Sequence, residues 1–180
     1  PVRIALLSTS DTDLLSARSS GCDFALANPA RLDAEAIDPL LVDADLVVVR
    51  ILGTARSWQE GLDAVLAHGA PVVVLGGEQS PDADLMGHST VPVGVAAQAH
   101  AYLAQGGPAN LANLHAFLSD TVLLTGEGFE PPAVVPEWGW AERAIPAGDD
   151  RARIGVLYYR AHEVSGNAGC NTYSGAFTLD

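Results

Sequence analysis

Runs of β-branched residues that alternate with helical segments constrain the fold of this chain most. The strongest run is residues 46–52 (LVVVRIL), and residues 71–75 (PVVVL) repeat its character. Strands that are apolar along their whole length are typical of a parallel sheet covered on both faces. Between the two runs, the sequence predicts a helix over residues 58–68, capped by Ser57 and ended by Gly69.

The remaining elements extend the same alternation. Ser10, with Asp13 three residues later, resembles a capping box at the start of a helix that ends near Ser19. The other predicted elements are strands at 2–7 and 24–27, a helix within 33–41 that is broken by Pro39, and helices at 95–104 and, after Pro108, at 109–118. This order predicts an α/β fold, a Rossmann-like or flavodoxin-like parallel sheet with flanking helices.

Proline and glycine concentrate in the stretch after residue 126, which predicts a linker there. We therefore divide the chain into a Rossmann-like α/β domain (1–126), a Pro/Gly-rich linker (127–152) and the truncated start of a second α/β domain (153–180) with an atypical tail. Residues 153–159 (RIGVLYY) predict the first strand of this last part.

The charged residues exclude several classes of function. The chain has no lysine, and its 9 arginines stand against 22 acidic residues, for a formal net charge of −13. A P-loop ATP site and Schiff-base chemistry both require lysine. The acidic balance argues against nucleic acid as a partner. Since the sequence shows no secretory signal and no apolar run of about 20 residues, we expect a soluble, cytoplasmic protein that does not enter membranes.

Candidate site residues lie where the predicted strands end, because ligands of open α/β sheets bind beyond the carboxyl ends of the strands. Arg50 lies within the most apolar strand, so its guanidinium needs either an acidic partner, such as Asp45 or Glu78, or an anionic ligand at a cleft. Gly76 and Gly77 end the next strand. They predict either an ordinary turn or a close approach of the backbone to a ligand. In the second case Glu78 would face the same ligand site.

The histidines and cysteines do not form a recognisable metal site or catalytic triad. The two cysteines, Cys22 and Cys170, make neither a disulfide framework nor a zinc site. Arg160 and His162 lie two residues apart after a predicted strand, so they point the same way if the segment is extended, and a surface turn is the alternative. No zinc-type spacing occurs among His68, His88, His100, His115 and His162. We predict no metal site and assign no catalytic residue.

Long stretches of the sequence carry a family resemblance. They are STSDTDLLSAR (8–18), ANPARLD (27–33), ADLVVVRILG (44–53), PVVVLGGEQSPDADLM (71–86), residues 89–132 and IGVLYYRAHEVSGN (154–167). Together they resemble the N-terminal part of the large subunit of aerobic cobaltochelatase, which is related to the large subunit of magnesium chelatase. The last residues depart from that pattern, and AGCNTYSGAFTLD (168–180) resembles a strand motif of META-type domains.

The resemblance implies a component of a multi-subunit enzyme of cobalamin biosynthesis. The family inserts Co²⁺, its substrate metal, into hydrogenobyrinic acid a,c-diamide as an ATP-dependent, ligase-type metal chelatase. The implied partners are the corrinoid precursor and separate ATPase subunits, which carry ATP and Mg²⁺. Because the catalytic core of the family lies largely in the rest of the large subunit, we expect this chain alone to be inactive. The alternative is a non-catalytic α/β module that docks the ATPase subunits or binds a small anion.

The resemblance also implies corrinoid binding by the matching segments. Arginines grip carboxylates through paired hydrogen bonds, and carboxylates or imidazoles hold a metal or accept the protons of the ring nitrogens. The substrate-binding residues expected on this basis are Arg50, Gly76, Gly77, Glu78, His115, Arg160 and His162.

Overall fold

The computed structural model describes residues 1–32, 36–136, 138–140, 157–159, 164–168 and 171–175. Contacts between Cα atoms divide the chain into two units, Pro1–Ala133 and Val134–Asp180. The predicted division at residues 126 and 152 stays a prediction.

A parallel sheet of four strands forms the centre of the first unit. Its strands are β1 (Ile4–Ser8), β2 (Phe24–Ala27), β3 (Leu46–Ile51) and β4 (Val72–Gly76), in the order β2-β1-β3-β4. β1, β3 and β4 are buried along their whole length, as their mainly apolar sequences predict. Ser8 lies opposite Arg50, and Arg50 lies opposite Leu75, so the carboxyl ends of these three strands are aligned; we call this end of the sheet its carboxyl edge.

Helices cover both faces of this sheet. Successive residues of a strand face opposite sides, so Leu6 joins one core cluster, with Tyr102 and Leu114, while Leu7 joins the other, with Leu62. The described helices are α1 (Asp11–Ser19), α2 (Ile37–Leu41), α3 (Gln59–Ala67), α4 (Ala83–Met86), α5 (Val93–Gln105) and α6 (Pro108–Thr121). The predicted α/β fold is confirmed.

The start of α1 forms only half of the predicted capping box. The Ser10 hydroxyl accepts a hydrogen bond from the Asp13 backbone N–H at 3.4 Å, as predicted. The Asp13 carboxylate does not return to the Ser10 N–H, which donates instead to Ser8 Oγ at 3.1 Å. The carboxylate is thereby left to bond within the carboxyl edge of the sheet.

Two details of the predicted helices are wrong. Ser57 does not cap α3, because its hydroxyl donates to the Thr54 carbonyl at 2.6 Å inside a 3₁₀ turn, Ala55–Trp58, and α3 begins after that turn. Pro39 does not break a helix either, because it lies in the first turn of α2, where no intrahelical donor is required. Residues 33–35, part of the same predicted helix, lie outside the described residues.

Side-chain hydroxyls bond the outer edge of β4. Thr90 Oγ1 accepts from the Val72 N–H at 2.7 Å, and the Thr90 N–H donates to the Val72 carbonyl at 2.9 Å. Ser89 Oγ accepts from the Val74 N–H at 2.8 Å. These bonds satisfy groups that an edge strand otherwise leaves open to pairing with another strand.

The chain after α6 is fastened to α5 and α6 as far as Ala133. The Tyr102 hydroxyl donates to the Glu130 carbonyl at 2.6 Å. Asn110 Nδ2 donates to the Ala133 carbonyl at 3.0 Å, and the Ala133 N–H donates to Asn110 Oδ1 at 2.8 Å. The beginning of the predicted linker therefore packs on the first unit.

We expect Asn110→Ala to release this segment. Asn110 is buried, and its removal leaves two backbone groups of Ala133 without their partner, at a cost of about 1–3 kcal/mol. Hydrogen exchange of the Ala133 amide should accelerate in this variant. It should stay slow in the control Asn113→Ala, which changes a less buried asparagine of the same helix. An unchanged rate of hydrogen exchange at the Ala133 amide in Asn110→Ala would contradict the role of Asn110 in holding this segment.

The described strands of the second unit form two antiparallel pairs. β5 (Trp138–Trp140) pairs with β6 (Leu157–Tyr159), and β7 (Val164–Ala168) pairs with β8 (Asn171–Gly175). β6 covers the end of the strand predicted at 153–159. Arg160, His162 and Cys170 lie outside the described residues.

Candidate functional site

A buried ion pair lies at the carboxyl edge of the parallel sheet. Arg50 Nη1 is 2.9 Å from each carboxylate oxygen of Asp13, and Ser8 Oγ donates to Asp13 Oδ2 at 2.6 Å. Arg50 and Asp13 are each only 5% exposed. Arg50 therefore has the acidic partner that one of its two interpretations requires, but the partner is Asp13 rather than Asp45 or Glu78.

The same guanidinium holds the loop that follows β4. Arg50 Nε donates to the Gly76 carbonyl at 3.3 Å, and Nη2 donates to the Gly77 carbonyl at 3.0 Å. The next carbonyl, that of Glu78, lies 2.9 Å from Nε2 of His100. Three successive carbonyl groups of this loop thus face buried side chains.

The glycines of the loop are required by close packing. A Cβ on Gly77 would lie 3.0 Å from the Cα of Leu52, and a Cβ on Gly76 would lie 2.9 Å from the Cβ of Asp82. The Gln79 side chain adds an anchor, since its Nε2 donates to the Ala104 carbonyl at 3.3 Å. We call the last residue of β4 and the three residues after it, Gly76–Gln79, the β4 loop. These close approaches are to Leu52 and Asp82 of the chain itself, and the predicted approach to a ligand stays a prediction.

His100 is a member of the site that the sequence pattern did not single out. It is 3% exposed, and burial is the main cause that lowers the pKa of its imidazole. The positive charge of Arg50 lowers the pKa further, while the bond to the Glu78 carbonyl acts in the opposite direction. We therefore expect a neutral imidazole that donates to the loop. The only sequence signal was a histidine on the buried face of a helix.

The lowered pKa of His100 predicts a pH-dependent stability. As the pH falls below 6.5, the unfolded chain takes up the proton first, so the free energy of unfolding decreases until the pH reaches the lower pKa of the folded chain. His100→Gln keeps a donor for the Glu78 carbonyl and cannot titrate. Urea unfolding at about pH 7.5 and about pH 5.5 should show a smaller loss of stability in this variant than in the wild type. Equal losses would contradict the lowered pKa.

His115 lies at the amino ends of the strands, opposite to the carboxyl edge. Its Nε2 is 3.2 Å from the carbonyl of Val2, which precedes β1, and its ring meets the edge of Phe24 at the start of β2. The structure therefore does not bring His115 together with Arg50 and the β4 loop.

A second, exposed polar cluster lies near the carboxyl end of β2. Arg31 Nη2 is 2.7 Å from Asp11 Oδ2, and Asn28 Nδ2 donates to Asp11 Oδ1 at 3.0 Å. The hydrogen bonds from Asn28 and from Arg31 lower the pKa of the Asp11 carboxyl. Because solvent screens such a surface pair, it contributes little to the stability of the chain.

Three grooves of the described surface have no residue of the β4 loop in their walls. One, of about 360 Å³, includes Arg56 and Trp58, and two others, of about 510 Å³ and about 390 Å³, contain Val91 in their walls. Among the described residues, no three His, Cys, Asp or Glu side chains group to hold a metal ion. None of the described helices has the length and apolar character needed to cross a membrane.

A comparison with solved structures relates the chain to a known protein. No family model and no curated protein matches the chain. The catalytic subunit of cobaltochelatase from Mycobacterium tuberculosis is similar to it, with 56% sequence identity and a TM-score of 0.78. The match covers 82% of this chain and 12% of that chain, so the chain spans about an eighth of this relative's length. The predicted resemblance to a cobaltochelatase subunit is confirmed, while the resemblance of residues 168–180 to META-type domains stays a prediction.

Proposed function

We propose that this chain, which is similar to part of a cobaltochelatase catalytic subunit, serves cobalt insertion in cobalamin biosynthesis. The observation that carries the proposal is the 56% identity to that subunit over 82% of the chain. Because the chain spans only 12% of the relative, we propose a binding role for it rather than the complete reaction.

The proposed substrates are Co²⁺ and the corrinoid hydrogenobyrinic acid a,c-diamide. Insertion must remove the protons of two ring nitrogens, deform the macrocycle and strip water from the metal. We assign ATP and Mg²⁺ to separate ATPase subunits of a cytoplasmic complex. The lack of lysine in this chain supports that division, since a Walker A site depends on one.

We propose that the β4 loop provides the contact with the corrinoid and that Arg50 acts through the loop. Gly77 and Glu78 lie at the carboxyl edge, where ligands of such sheets bind, and Arg50 is buried against Asp13 and the loop carbonyls. Arg160 and His162 remain proposed contacts on the strength of the resemblance alone. For His115 the resemblance is likewise the only support, because it lies at the other edge.

The test is a titration of hydrogenobyrinic acid a,c-diamide into the purified chain, followed by absorbance and by heat. We expect saturable binding at micromolar protein and no cobalt insertion by the chain alone. His68→Gln, an exposed change at the end of α3, should bind like the wild type. Lack of any signal would contradict corrinoid binding by this chain.

The competing proposal is a non-catalytic module that docks the ATPase subunits or binds a small anion. The small share of the relative's length that the chain spans is compatible with such a module. This proposal predicts that the chain binds purified ATPase subunits and does not bind the corrinoid. Both measurements can be made on the same preparation of protein.

A further inference from the structure

We propose that the β4 loop recognises a primary carboxamide of the corrinoid, rather than a carboxylate, through the backbone N–H groups of Glu78 and Gln79 and the carboxylate of Glu78. This inference rests on the proposed function, because the corrinoid named there carries both kinds of side group.

The direction of the loop carbonyls fixes the direction of these N–H groups. The described chain has no cis peptide bond, and in a trans peptide the N–H points opposite to the preceding C=O. The carbonyls of Gly77 and Glu78 point inward, to Arg50 and His100. The N–H groups of Glu78 and Gln79 therefore point away from Arg50 and His100, and neither donates to a backbone carbonyl of the described residues.

The charges around the loop select the ligand. Arg50 is buried, and Asp13 neutralises it, so the loop offers neutral donors without an exposed cation. The Glu78 side chain is exposed and carries a negative charge beside those donors. A carboxylate or phosphate bound there would be repelled by Glu78 and by the formal net charge of −13.

A primary carboxamide fits both features. Its carbonyl oxygen accepts hydrogen bonds, and its NH₂ group donates two. The carbonyl matches the N–H groups of Glu78 and Gln79, and the NH₂ matches the carboxylate of Glu78. A carboxylate in the same place has no hydrogen to give to Glu78, so the loop would discriminate between the two groups.

The anchoring of the loop supports a binding role. Buried ion pairs such as Arg50–Asp13 often add no net stability compared with apolar residues, because both charges lose their hydration. Here the pair fixes two carbonyls of the loop, His100 fixes the third, and the Gln79 side chain is tied to α5. A loop held in this way loses little conformational entropy when a ligand binds.

The experiment compares hydrogenobyrinic acid a,c-diamide, here called the diamide, with hydrogenobyrinic acid, here called the diacid. The second compound has the same macrocycle with two carboxylic acids in place of the two amides. Both are titrated into the ¹⁵N-labelled chain. We expect the backbone amide signals of Glu78 and Gln79 to shift when the diamide is added. We also expect the diacid to bind at least about tenfold more weakly than the diamide. Glu78→Gln should reduce the difference in affinity between diamide and diacid. Glu127→Gln, which removes another exposed carboxylate, should leave that difference unchanged.

The outcomes separate this inference from the proposed function. Equal affinity for diamide and diacid, or binding that leaves the Glu78 and Gln79 signals in place, would overturn carboxamide recognition while corrinoid binding stands. An unchanged preference in Glu78→Gln would also overturn it. Failure of both corrinoids to bind would overturn the inference together with corrinoid binding by this chain.

Discussion

Replacement of Arg50 by methionine should destabilise the first unit by about 3–5 kcal/mol, because the Asp13 carboxylate then stays buried without its cation. Three carbonyl groups, those of Gly76, Gly77 and Leu103, also lose a donor. Urea unfolding followed by tryptophan fluorescence measures the loss. A decrease below about 1 kcal/mol would show that the pair does not hold the carboxyl edge together.

A double variant separates the lost charge pair from the lost volume. Asp13→Leu together with Arg50→Met removes both charges, so it should be less destabilised than the sum of the two single variants. The exposed pair provides the control, and Arg31→Met, which leaves Asp11 in solvent, should change stability little. Additive effects of Asp13→Leu and Arg50→Met would contradict direct coupling.

Gly77→Ala should be the second large effect. The new Cβ would lie 3.0 Å from the Cα of Leu52 and 3.1 Å from its nitrogen, and backbone atoms cannot rotate away as the end of a side chain can. We expect a loss of about 1–3 kcal/mol from the forced displacement. The amide signals of Glu78 and Gln79 should also move in the absence of ligand, because the loop must shift.

Gly94→Ala is the matched control for this substitution. Gly94 lies in the first turn of α5 with open space around its Cα, so alanine fits there and favours the helix. The free energy of unfolding of Gly94→Ala should equal or exceed that of the wild type. If Gly77→Ala were as stable as Gly94→Ala, with the β4 loop signals unmoved, the close packing of the loop would be wrong.

The sequence predicted the sheet and the long helices because each depends on a local pattern. The apolar runs of β3 and β4 and the proline at the start of α6 act within a few residues. The two wrong details, at Ser57 and Pro39, concern the first turns of helices. There, the same residue types fit both a turn and a helix start, and packing decides between them.

The contacts of the candidate site were less predictable, because they join residues far apart in the sequence. The sequence indicates that Arg50 needs a partner for its charge, yet Asp13, 37 residues away, carries only the signal of a helix cap. His100 lies 22 residues from the carbonyl it bonds. His115 shows the converse, since a segment can match a family while its histidine packs at the other edge of the sheet.

Binding of hydrogenobyrinic acid a,c-diamide to the wild type, Gly77→Ala and Gly94→Ala tests the central claim most directly, in conditions where all three are folded. The claim that the β4 loop contacts the corrinoid predicts saturable binding to the wild type and to Gly94→Ala. It predicts at least about tenfold weaker binding to Gly77→Ala. Equal affinities for all three proteins, or no binding to the wild type, would contradict it.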